Sequence, residues 1–412
     1  MSLDNRIKNL ARLVVEFGAN VKPGEDVVLM TPVENPEFAR MIVEACYEAG
    51  ARHVSVDWSD DALKRMRYQY EDQETLNEVP DYEVARQEYR LANKRSNRIV
   101  VISEDPDALA GLDEKKIAES IRERSKVMKP FRKYTMNDIV SWSLISIPTV
   151  KWAMKVFPGM IAGEAVNKLW EAILDTSRVT DDWEETRTNW KNHLIVLAKH
   201  ADFLNANNFD KVHYTSSNGT NLVVELPKGH MWKAAISDNE KGDAFVPNMP
   251  TEEVFTSPLK TGVNGRLVAT KPLVYNGTVI NKFEFRFEDG KVVDFKAEEG
   301  EDTLREMLES DEGARYLGEI ALVPFDSPIN ESGILFFNTL FDENASCHFA
   351  LGKAYPTTVE GGDLLEDSEL HTIGLNDSLI HEDFMVGAAD LDIIGYKDGK
   401  PVQIFKNGNF AY

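Results

Sequence analysis

The chain has 412 residues, with 46 Lys and Arg against 69 Asp and Glu, a formal net charge of -23. That length favours two domains over one. The acidic balance argues against nucleic acid as a partner, because phosphates need basic neutralisation, and two cysteines, Cys46 and Cys347, are too few for a disulfide framework or a thiolate metal knuckle.

The opening segment MSLDNRIKNLARLVVEFG places Asp4 and Arg6 among its apolar residues and has no continuous apolar core, so it does not read as a signal peptide. No apolar run is long enough to span a bilayer, which predicts a cytoplasmic protein with no membrane partner. Ile7, Leu10, Val14 and Phe17 recur at helical spacing, and a Lys-Pro-Gly turn then leads into the apolar run 27–29. Asn35-Pro36 reads as an N-cap followed by a first-turn proline, Phe38, Ile42 and Cys46 share one helical face, and Gly50 ends the helix before a strand at 53–56. This is a βαβ unit. Further apolar runs at 99–102 and 144–147 alternate with helical patterns, which predicts a parallel sheet covered by helices on both faces. Leu169 and Ile173, then Trp183, Trp190, Leu194 and Leu197, predict two longer helices after Pro158. Residues 1–208 therefore read as an α/β N-terminal domain, with the boundary near Phe209.

Beyond Phe209 the texture changes to hairpins. Asn218-Gly219 separates 212–214 from 222–226, Asn276-Gly277 separates 273–275 from 279–280, Asp289-Gly290 separates 283–287 from 292–293, and Asp398-Gly399 separates 393–394 from 402–405. Such pairs tolerate the positive φ of tight hairpin turns. A helical mix over 303–308 and 312–317, broken at Ser310, interrupts them. Residues 209–412 thus read as an α+β, β-rich C-terminal domain.

No G-x-G-x-x-G follows a predicted strand, and the P-loop, H-E-x-x-H, G-x-S-x-G and C-x-x-C motifs are absent. Chemistry must come from dispersed residues. In NMPTEEVFTSP two prolines bracket Glu252 and Glu253, only one of which can enter a site if the segment is extended; alone, the pair reads better as surface. Glu319 near the start of the apolar run LGEIALVP needs a cation or a donor if buried, or is a strand-end residue reaching solvent. His348 in ASCHFALG reads alone as a hydrogen-bonded core histidine, with Tyr355 seven residues on. His381 and Asp383 in IHEDFMVG are two apart, so a strand points both to one face, and imidazole with carboxylate suits zinc, cobalt or manganese. Together these residues suit two divalent ions, which can activate a water, polarise a carbonyl and anchor a free amine.

At these segments the sequence resembles the aminopeptidase T and aminopeptidase S family of two-metal metallopeptidases, also called thermophilic aminopeptidases. The resemblance rests on NMPTEEVFTSP, LGEIALVP, ASCHFALGKAY and IHEDFMVG in that order, and extends more loosely along the chain. It implies that Glu253, Glu319, His348, His381 and Asp383 are metal ligands, that Tyr355 sits at the metal centre as ligand or transition-state donor, and that Glu253 and Tyr355 are catalytic. It also implies two divalent ions per subunit, zinc, cobalt, manganese or magnesium, a homodimer, and release of N-terminal residues from peptides with a free N-terminus. The general base stays unassigned, since Glu252 and Glu382 are both expected to face away. Two other readings stand beside this one: another metal-dependent amidase or dipeptidase, and a catalytically inactive metal- or peptide-binding protein.

Overall fold

The computed structural model describes residues 3–103, 105, 107–275 and 278–412. The chain forms two compact units, one running up to Asn192 and including Ile236–Pro250, the other made of His193–Ala235 and Thr251–Tyr412. The division falls inside the continuous helix Trp183–Asn207, so no turn or linker marks it in the sequence, whereas the expected boundary near Phe209 lies just past that helix.

The first unit is built on a five-stranded parallel sheet in the order His53–Ser59, Asp26–Pro32, Asn97–Ile102, Trp142–Ser146, Asn248–Met249. Parallel neighbours need crossovers, and Pro36–Glu48 supplies the first, opening on its proline and followed by Gly50 at φ 93°. Asn35 precedes that helix without a side-chain capping bond, and its side-chain amide donates to the Pro148 carbonyl at 2.8 Å. Leu29, Ile99 and Ile145 are fully buried at the centre of the sheet, as strands covered on both faces require. The two longer helices are Ala162–Thr176, which buries Leu169 and Ile173, and Trp183–Asn207. The fifth strand, Asn248–Met249, lies in sequence beyond the hairpin at Asn218-Gly219.

The second unit is antiparallel, with a nine-stranded sheet and a four-stranded one. Asp289 and Gly290 (φ 47° and 84°) and Asp398 and Gly399 (φ 49° and 74°) both take the double positive φ of a type I′ hairpin turn. At Asn218-Gly219 only the glycine does so (φ 104°), and Asn218 Oδ1 instead accepts from the Thr220 N–H. The pair Asn276-Gly277 lies outside the described residues. The expected helix over 303–308 is present as Glu301–Leu308, but 312–317 is not a helix: it is a single 3-10 turn, Gly313–Arg315, and Leu317 already begins a strand. The Asp311 carboxylate accepts from the N–H of Ala314 and of Leu379, which ties the turn to a distant segment. Among the described residues no helix is long and apolar enough to cross a membrane.

Candidate metal centre

The four-stranded sheet runs Val254–Thr256, Leu317–Leu322, His348–Gly352, His381–Met385. Side chains alternate faces along a strand and cross-strand partners share one, so the registers fix what meets. Phe255, Ala321, His348 and Met385 align across the sheet, Glu319 aligns with Ala350 and Asp383, and Gly352 with His381. Glu319, His348, His381 and Asp383 therefore occupy one face. The middle strand contributes only Ala350 and Gly352 beside His348, which leaves space between Glu319 and Asp383. The opposite face carries Phe349, Leu351 and Phe384, all buried, with Phe384 packed edge-on against Phe285.

A bulge aims Glu319. Between Leu317 and Glu319 the register against the middle strand slips by one residue, a local bend that redirects a side chain. Gly318 makes it possible, since a Cβ there would lie 2.4 Å from the Lys353 carbonyl oxygen.

Both imidazoles are oriented by main-chain carbonyls. Nδ1 of His348 lies 3.0 Å from the Ser346 oxygen and Nδ1 of His381 2.7 Å from the Lys353 oxygen, so Nε2 of each ring faces the carboxylates. Nε2 of His348 is 3.1 Å from Glu253 Oε2 and 4.0 Å from Glu319 Oε1. Nε2 of His381 is 3.2 Å from Glu319 Oε2 and 3.7 Å from Asp383 Oδ1. The result is two three-donor groups, Glu253, Glu319 and His348, and Glu319, His381 and Asp383, each with its ligand atoms within 4.8 Å of one another. Glu319 belongs to both, one oxygen turned to each.

The electrostatics call for an added cation. Among the described residues, Glu253, Glu319 and Asp383 pair only with imidazoles. Glu253 Oε2 is buried, with Nε2 of His348 at 3.1 Å as its close charged neighbour and no regular hydrogen bond among the described residues, a costly state for a carboxylate oxygen unless a metal completes it. Burial raises the pKa of Glu319, and the neighbouring Asp383 and Glu253 charges add to the rise against the pull of His381. Burial acts to lower His381, but Asp383 and Glu319 outweigh it and bring it to about 10; His348 is likewise driven well above the usual imidazole range by Glu253, Asp383 and Glu343. Clustered carboxylates with paired Nε2 atoms, held from behind by backbone carbonyls, fit oxygen- and nitrogen-loving divalent ions.

The remaining candidates fall as follows. The Tyr355 ring stands edge-on to His381 at 5.0 Å and to Phe255 at 6.0 Å, and burial with the Glu319 and Asp383 charges holds its phenol pKa well above 10. Glu252 turns away: its Oε2 is 3.8 Å from Nε2 of His193. Glu382 pairs across with Leu351, on the far face. The sequence reading misses Glu343, whose carboxyl is pushed well up by burial and by Asp383, Glu253 and Glu319; its signal is an acidic pair, Asp342-Glu343, directly after Leu340-Phe341 and five residues before His348. Cys347 is no ligand, since burial lifts its thiol to about 12 and its Sγ donates to the Val323 carbonyl.

A family model described as thermophilic metalloprotease (M29) matches residues 3–410. The chain is 44% identical over 412 residues, the full length of both proteins, to aminopeptidase AmpS of Bacillus subtilis (strain 168). It is 43% identical over 410 residues, 99% of this chain and 98% of the relative, to aminopeptidase 2 of Geobacillus stearothermophilus. Among solved structures it is similar to wild-type AmpT from Thermus thermophilus, with a TM-score of 0.91, 35% identity and complete cover of both chains.

Proposed function

We propose a working site from the premise that the chain belongs to the thermophilic metalloprotease family, M29, and is a metal-dependent aminopeptidase acting on peptides. Two divalent ions would be held here, one by Glu253, Glu319 and His348, the other by Glu319, His381 and Asp383. The observation that supports this most directly is the Glu319 carboxylate, which offers one oxygen to each group. When bound, such ions, zinc, cobalt, manganese or magnesium, supply Lewis acidity that acidifies a water and polarises a peptide carbonyl.

The chain's own residues do the rest. When bound, the ions would also give a free α-amine a place to anchor, which selects the end of a peptide. The Tyr355 hydroxyl, beside the donor cluster against His381, donates a hydrogen bond to the oxygen of the scissile carbonyl as charge develops there. Glu343, partly exposed, outside both donor groups and with its carboxyl pKa raised by desolvation and by their charges, is the group assigned to take up a proton from water and return it to the leaving amine. Cys46 and Cys347 are buried free thiols, which supports a cytoplasmic setting, and the family resemblance supports a homodimer.

The test is Glu253→Gln, which keeps shape and removes charge. Metal content should fall by at least one ion per subunit, and turnover of amino-acid p-nitroanilides should drop steeply. Wild-type protein should leave N-blocked versions of the same substrates uncleaved. Full metal occupancy with normal turnover in the variant would refute the ligand assignment.

A further inference from the structure

The face that carries the donors does not stop at them. Along His381–Met385 alternate residues share a side of the sheet, so after His381 and Asp383 the next side chain on that side is Met385, one strand repeat further on. There a cavity of about 40 Å³ opens, with the acids Asp383 and Asp342, the polar Asn338 and Thr339, and an apolar remainder that includes Val274, Phe337 and Met385. At the ~10–15 Å³ that a single water occupies, it has room for about three.

The walls are built in place. Phe337 sits in the left-handed region at φ 53°, a conformation that a bulky residue keeps only when its surroundings impose it. Asp342 imposes it here, accepting from the N–H of Phe336 at 2.9 Å and of Asn338 at 3.1 Å, while the Phe336 ring stacks on Phe341 at 4.6 Å. Phe336 is thus spent on the core, and Phe337 is turned out to line the cavity.

An aminopeptidase substrate has its α-amine and its scissile carbonyl on either side of one Cα. With both engaged at the donor cluster, the side chain of that first residue starts one bond from each and needs a recess that adjoins the cluster. The cavity shares Asp383 with it.

We propose that this cavity receives the side chain of the substrate's N-terminal residue and selects aliphatic groups of valine to leucine size, an inference that rests on the metal-centre reading above. The walls are mostly apolar, with Asn338 and Thr339 as their uncharged polar members, so a charged side chain loses hydration that the walls do not restore. An acidic one also meets Asp383 and Asp342. A basic one finds Asp342 already engaged by main-chain donors and beside Lys271. A phenyl ring exceeds the space.

The test uses the metal-loaded enzyme and kcat/KM for Ala, Val, Leu, Phe, Lys and Glu p-nitroanilides. Pocket discrimination of one or two methylenes amounts to roughly 10–200-fold, so wild type should favour Leu and Val over Phe, Lys and Glu by about tenfold or more. Phe337→Ala should shift the Leu-to-Phe ratio toward Phe by about tenfold or more, and Val274→Phe, which fills the space, should shift it toward Ala, both with metal content retained. Ratios unmoved in the metal-loaded variants would overturn the proposal, as would a wild-type preference for charged residues. If Phe337→Ala fails to fold, Val274→Phe decides alone. Wild-type enzyme, metal-loaded, that cleaves none of the substrates would overturn the metal-centre reading, and this inference with it; a flat preference among cleaved substrates would overturn only this inference.

Discussion

Asp57 in the first unit and Glu319 in the second are both strand carboxylates withdrawn from water, and they are neutralised by opposite means. Asp57 lies on His53–Ser59 and takes two hydrogen bonds from Arg90, at 2.5 and 3.0 Å, with Arg86 nearby. Burial acts to raise its pKa, but the arginines prevail and it ends below the ordinary value. Glu319 has no arginine; burial dominates, two further acids surround it, and its pKa is raised. A carboxylate that serves structure brings its own fixed cation, whereas one without such a partner, facing like charges, awaits a cation from outside.

The sharpest way to break this contrast is to neutralise each acid in turn. Glu319→Gln removes the oxygen charge shared by both donor groups, and kcat/KM should fall by more than about 100-fold, beyond what loss of a mere supporting partner costs. Metal analysis by mass spectrometry should show both ions lost or weakened. Retention of both at full activity would make Glu319 an ordinary buried acid.

The contrast also predicts a pH dependence. In the metal-free protein His381, at about 10, and His348, also raised, carry protons at neutral pH that a metal must displace. Metal affinity should therefore rise with pH toward 10, by up to about tenfold per unit for each proton released. Calorimetric titration with zinc or manganese in buffers of different ionisation enthalpy measures that release, and a pH-independent affinity would contradict the donor set.

The smallest effect sharpens the other side. Asp57→Asn leaves Arg90 without its charge partner, which should lower unfolding free energy by about 1–3 kcal/mol while metal content and kcat/KM stay as in wild type. Denaturant unfolding beside an activity assay checks both parts. Loss of metal on this substitution would erase the distinction.

Much of the scaffold was legible because its signals are local. Asp289-Gly290 and Asp398-Gly399 announce hairpins through the φ values that only such residues accept easily, and the spacing of His381 and Asp383 announces a shared face. The fifth parallel strand, Asn248–Met249, could not be read: two residues have no period, and their partner Trp142–Ser146 is a hundred positions away. The helix expected over 312–317 gives way to one 3-10 turn because Leu317 is already paired into a strand, a partnership the local pattern does not reveal. Within the site, residue types were legible but directions were not. The Gly318 bulge that turns Glu319 is decided by contacts across the sheet, and the turn of Glu252 toward His193 by a helix distant in sequence.

The imidazoles at this centre hang from main-chain oxygens of Ser346 and Lys353, not from other side chains. Their aim is thus a property of the strand ends themselves, and it survives any replacement that spares the backbone. A protein engineer wishing to change the preferred ion is freed from redesigning those supports: the acids around the rings can be exchanged one at a time, with both nitrogens still pointing where they point now.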